Sequence, residues 1–114
     1  MAATNERFEI YDKAGHVRIR LGLDDKGSPF LSLNDEKGCE RIMLAIDDSG
    51  NGGISFREAS GQPTLDIGVS RDLGLGMTAI DVKNETYLYF RVFNGDGEIR
   101  LETRDGTHVW PQED

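Results

Sequence analysis

The sequence predicts an all-β protein: an antiparallel up-and-down meander of about nine or ten short strands. Large apolar residues alternate with other residues at period two. These alternating blocks recur at a period of about 23 residues, within the range that marks tandem repeats. Acid-x-x-glycine turn signals fall between them. No segment shows the spacing of three and four that an amphipathic helix requires.

The longer strands come first because their columns are uniform. Ile19, Ile42, Leu65 and Leu88 are evenly spaced, one repeat period apart. So are Leu21, Leu44, Ile67 and Phe90, and so are Leu23, Ile46, Val69 and Val92. Each is large and apolar, and within a unit they occupy alternate residues, hence one face of a strand. They predict strands near 16–23, 39–46, 63–70 and 85–93. Shorter alternating pairs fill the other half of each unit: Phe8 and Ile10, Leu31 and Leu33, Ile54 and Phe56, Met77 and Ala79. Ile99 and Leu101 continue the pattern with the register moved by one residue. These pairs predict strands near 7–11, 29–34, 53–57, 76–80 and 98–103, with a last short strand at Val109 and Trp110. Pro29 and Pro63 sit at strand starts, where a missing N–H is tolerated.

Turn chemistry punctuates the strands. Gly15, Gly38 and Gly61 follow one another at the same period, and Asn84 falls at the next interval. An acid precedes each by three residues: Asp12, Asp35, Glu58 and Asp81. This suits a hairpin turn in which the acid bonds the turn backbone and the last residue adopts positive φ. Asn84 is expected to take that role in the fourth unit. Second turns are expected at Asp24-Asp-Lys-Gly27, Asp47-Asp-Ser-Gly50, Arg71-Asp-Leu-Gly74 and Asn94-Gly-Asp-Gly97. The third comes one residue late, so a bulge is expected near Gly74. The chain thus divides into a flexible N-terminus (1–6), one β-repeat domain (7–110) and an acidic tail (111–114). The units lie near 7–28, 29–51, 52–75 and 76–98, with a partial copy at 99–110.

Composition narrows the function classes. The formal net charge of −8, from 21 acidic and 13 basic residues, argues against nucleic acid or an anionic membrane as a partner. Cys39 is the single cysteine, so no intrachain disulfide forms. The start lacks the apolar region of a signal peptide, and a cytoplasmic location is expected.

All the strands turn their apolar residues to the same side, and that face must be covered. A closed barrel, a sandwich or an oligomer would do so. The expected assembly is a trimeric, β-prism-like homo-oligomer. The alternative is a closed up-and-down barrel that binds an apolar small molecule. In the fourth unit Tyr87, Tyr89 and Phe93 put aromatic surface on the otherwise polar side. With Trp110 they form the expected interaction patch for a protein partner.

The units Asp12-Lys-Ala-Gly15-His-Val-Arg18-Ile-Arg-Leu21 and Asp35-Glu-Lys-Gly38-Cys-Glu-Arg41-Ile-Met-Leu44 resemble bacterial and phage-type β-repeat proteins with recurring D-x-x-G-x-x-R-x-x-L motifs. The resemblance covers about residues 7–110 and weakens where Thr64 and Tyr87 replace the arginine. It implies a structural or assembly module, trimeric in some related fibre repeats, and carries no catalytic residues over.

One motif points elsewhere. Asp47-Asp-Ser-Gly-Asn-Gly-Gly-Ile-Ser-Phe-Arg-Glu58 matches the twelve-residue calcium loop of EF-hands, with Asp47, Ser49, Asn51 and Glu58 as side-chain ligands. Its flanks do not fit: Gly61 and Pro63 would stop the exiting helix, and Ile42, Leu44 and Ile46 alternate as a strand. The repeat phase also runs through it, since Ile54, Phe56 and Glu58 occupy the columns of Leu31, Leu33 and Asp35. An incidental calcium-binding turn is kept as a subsidiary expectation. His16 and His108 are far apart and have no nucleophile beside them. No catalytic residue and no cofactor are expected, and the chain reads as a non-enzymatic interaction module.

Overall fold

Each alternating block forms a strand in the computed structural model, which describes residues 7–60, 64–72 and 74–111. The first six strands are β1 (Arg7–Tyr11), β2 (Val17–Leu23), β3 (Pro29–Asn34), β4 (Glu40–Ile46), β5 (Gly52–Arg57) and β6 (Thr64–Ser70). They are followed by β7 (Gly74–Asp81), β8 (Thr86–Phe93), β9 (Asp96–Thr103) and β10 (Gly106–Trp110). Among the described residues these ten strands make one antiparallel sheet in chain order, each paired only with its sequence neighbours, and there is no helix. The expected features at residues 1–6, Gly61, Pro63 and Leu73, and the tail beyond Pro111, lie outside the described residues.

The register brings the apolar columns side by side. One row crosses the sheet from Ile10 through Ile19, Leu33, Ile42, Phe56, Leu65, Ala79 and Leu88 to Leu101 and His108. A second runs from Phe8 through Leu21, Leu31, Leu44, Ile54, Ile67, Met77 and Phe90 to Ile99 and Trp110. A third, less complete row includes Ile46, Val69, Leu75 and Val92. Pairings recur with the sequence: Ile19 faces Leu33, Ile42 faces Phe56 and Leu65 faces Ala79, each pair one repeat period after the last.

The aspartate turns explain why the strands end where they do. The N–H groups of Asp12, Asp24, Asp35 and Asp47 donate to the carbonyls of His16, Ser28, Cys39 and Asn51, all at 2.9 Å. The N–H of the glycine three residues on donates back to each aspartate carbonyl. Gly15, Gly27, Gly38 and Gly50 hold φ between 83° and 90°, the left-handed region that closes such a turn without a Cβ clash. Each aspartate Oδ1 then accepts two backbone N–H groups, as Asp12 does from Ala14 and His16 at 3.0 Å. The arginine of the motif is a clamp. Arg18 Nε donates to the Asn34 carbonyl at 2.9 Å, and Nη1 lies 3.7 Å from Asp12. Arg41 repeats both contacts, with the Arg57 carbonyl at 2.6 Å and Asp35 at 3.6 Å.

The fourth unit departs from expectation in two turns. Glu85, not Asn84, takes the positive φ, at 52°, because Asp81 pairs with Thr86 as a strand residue and the turn closes from Val82 to Glu85. Asp81 still accepts from the Asn84 amide side chain at 2.7 Å. The expected turn over residues 94–97 contracts to Asn94 and Gly95, with φ of 51° and 86°, between Phe93 and Asp96. Two residues with positive φ match the right-handed twist of the strands. This shorter turn brings Leu88 opposite Leu101 and accounts for the one-residue change of phase.

The sheet is a single open layer, with extents of 57 × 35 × 15 Å. Its radius of gyration is 17.5 Å, against about 13 Å for a compact chain of this length. Its accessible surface is 8591 Å², where a compact monomer of this mass would expose about 6,200 Å². No hydrophobic side chain is buried among the described residues. The sheet is open, which does not favour the closed barrel held as the alternative. Closure would require β10 to pair with β1 after a stagger comparable to the number of strands. The row that starts at Ile10 ends at His108, so such a stagger would carry the five-residue β1 past the end of the five-residue β10.

Candidate functional site

Alternation along each strand sorts the side chains onto two unlike faces. The apolar face carries the three rows described above. None of its described members is buried: most are half-buried, and Phe8 is 67% exposed, Val69 59% and Ile46 49%. A continuous surface of this size is far larger than the apolar patches that monomers expose.

The opposite face is built from shorter and charged side chains. A stripe of small residues crosses its middle, with Ala45, Gly53, Gly68 and Gly76 in one register row. At two of these glycines the ladder is tight: a Cβ on Gly53 would stand 3.0 Å from the Ile67 carbonyl, and one on Gly68 3.3 Å from that of Gly52. Met43, Asp66, Tyr89 and Arg91 wall the shallow groove that results. Ser55 donates to Asp66 across it. Toward β9, Arg100 bridges Glu98 at 3.2 Å and Glu102 at 3.9 Å, while Arg91 reaches Glu98 at 3.9 Å.

The expected interaction patch is divided between the faces. Tyr89 pairs with Arg100 and Tyr87 with Glu102, so both rings stand half-buried among these ion pairs on the polar face. Phe93 shares that face and lies over Gly74, whose Cβ would come within 2.9 Å of the Phe93 Cβ. Trp110 pairs with Ile99 and therefore belongs to the apolar face, where it stacks on His108 at 6.0 Å. Sequence spacing missed this because β10 lies in the partial copy, where the column phase has already slipped. It also missed Phe30, which sits out of phase with Leu31 and Leu33. Phe30 packs on the polar face under the Arg7 guanidinium, 6.0 Å from its ring centre.

The calcium motif is taken apart by the fold. Asp47 Oδ1 accepts the N–H groups of Ser49 and Asn51 at 2.9 Å, and Oδ2 accepts the Asn51 amide at 3.0 Å. Glu58 accepts the Ser60 N–H at 3.0 Å in the next turn. All of β5 lies between these two carboxylates, about 20 Å of extended chain, so they do not meet around one ion. Among the described residues no cluster of His, Cys, Asp and Glu side chains has metal-binding geometry. Hydrogen bonding holds four turn carboxylates below their usual range. The principal donor is the His16 N–H for Asp12, the Cys39 N–H for Asp35, the Asn51 N–H for Asp47 and the Ser60 N–H for Glu58. These acids are turn locks.

No helix among the described residues is long and apolar enough to cross a membrane. Comparison of the chain with protein-family models, with curated proteins and with solved structures finds no match.

Proposed function

We propose that this chain is a non-enzymatic structural module that self-associates through its apolar sheet face, with the sheets of three copies arranged as a β-prism. The observation that carries the reading is the absence of any buried hydrophobic side chain among the described residues, beside rows of them gathered on one face. A layer of this kind has nothing to offset the entropy of ordering its chain until the face is covered. The surface in excess of a compact monomer, roughly 2,400 Å² per chain, lies in the range of obligate interfaces.

The width of the apolar stripe favours the prism. Three rows two residues apart span about 14 Å. A triangle of that side has its centre about 4 Å from each edge, within the roughly 5 Å reach of a side chain in a sheet-on-sheet packing. Three such stripes therefore close on a common axis without a hollow. The prism keeps Tyr87, Tyr89 and Phe93 outside, facing any protein partner, and turns Trp110 inward.

Light scattering on the eluting protein tests this directly. The expected mass is three times the 12.7 kDa of the chain, or a whole multiple of that trimer. A folded single chain overturns the reading, and a folded pair replaces the prism with a two-sheet sandwich.

A further inference from the structure

We infer that copies of this chain also join edge to edge, β10 of one pairing antiparallel with β1 of the next, with Val109 opposite Glu9 and Trp110 opposite Phe8. The inference rests on the self-association reading and adds to it a second, independent contact along the prism axis.

The pairing follows from the direction and register of the edges. With ten strands in an antiparallel meander, β1 and β10 run in opposite directions, so a second copy placed beyond β10 meets it antiparallel with its apolar face on the same side. The register is set by pairings already present. Leu21 meets Leu31 and Ile19 meets Leu33 where β2 hands on to β3, and both pairings recur one repeat period later as Leu44 with Ile54 and Ile42 with Phe56. Phe8 and Ile10 stand one period before Leu31 and Leu33, so β1 has the form of a strand that follows another. Trp110 and His108 end the rows of Leu21 and Ile19, so β10 presents the corresponding partners. Among the described residues the outer edges of both strands are unpaired.

Among the described residues of the two edges no like charges oppose the contact. β10 contains no proline or lysine within Gly106–Trp110, the residues that commonly guard an edge. In the proposed register no two charges of the same sign face each other: Glu9 stands against Val109, Ile10 against His108 and Tyr11 against Thr107. Glu9 keeps its own partner, Arg20, at 3.3 Å. Because strands cross the prism, its ends carry these edges, and the pairing lengthens it into a fibre.

Cysteine cross-linking on the outer face reads the register without interference from the apolar contact. In a Cys39→Ser background, Glu9→Cys and Val109→Cys chains are mixed and mildly oxidised. Directly opposed positions lie within disulfide reach and diagonal ones do not, so the two-chain product should exceed that from Glu9→Cys with Thr107→Cys by about tenfold. The doubly substituted chain should give a ladder of covalent multimers. No cross-link, equal yield from Thr107→Cys, or Val109→Cys chains linking to one another would each overturn the inference. Light scattering on the unsubstituted protein separates the two ideas: a trimer that does not cross-link leaves the face reading standing, and a folded single chain removes both.

Discussion

The two faces of this sheet share every strand and every backbone hydrogen bond, yet they have opposite needs. The polar face is complete by itself: its arginines and acids pair, and an added Cβ at Gly53 or Gly68 would crowd the neighbouring strand. Among the described residues the apolar face has no partner within the chain. Strand pairing alone therefore does not complete a fold. It arranges apolar side chains, and a second layer must then remove them from water.

A charge introduced on each face gives the largest contrast. Ile67→Glu would bury a carboxylate in the apolar stripe and should cost more than about 3 kcal/mol per chain, dissociating the assembly and unfolding it together. Thr78→Glu, on the polar face beside Asp66 and Tyr89, should leave the mass unchanged in light scattering and the circular dichroism intact. If Ile67→Glu stays folded and assembled, the faces do not differ as described. The glycine stripe comes next. Gly53→Ala meets a carbonyl at 3.0 Å and should cost about 1–2 kcal/mol in denaturant melts without altering the mass, since its effect is on the ladder.

Acid should act on the turns and leave the apolar face unchanged. Asp12, Asp35, Asp47 and Glu58 are held below the usual carboxylate range by backbone N–H groups. A carboxylate whose folded pKa is depressed contributes stability that is present above its unfolded value. That stability is lost as pH falls through the folded value. The melting temperature should therefore hold from neutrality down to about pH 4 and decline below it. A decline beginning near pH 6 would point to other groups. The smallest effect concerns Ser32, which is 1% exposed and has no hydrogen-bond partner for its hydroxyl. Ser32→Ala should be neutral or stabilising by up to about 1 kcal/mol in the same melts.

The legible parts of the fold were those governed by local chemistry. Strand positions followed from alternation, and the Asp24 and Asp47 turns followed from a side chain that can bond its own backbone. Reading failed where a turn changed length. At Glu85 the turn moved by one residue, and at Asn94-Gly95 it shortened, because hairpin closure depends on where the facing strands stop pairing. The placement of Trp110 failed for the same reason: one residue of slip exchanges the two faces of a strand. The calcium motif was already at odds with its flanks in the sequence. Its residue types are right, but an extended strand holds its ends apart.

The sequence by itself determined the strand period, the sharing of one apolar face by all the strands and the aspartate turns, since each depends on residues close together along the chain. Only the tertiary structure decided that the sheet stays open and that the aromatic patch splits between its faces. Those outcomes depend on the sum of register shifts across ten strands, a quantity no single hairpin contains.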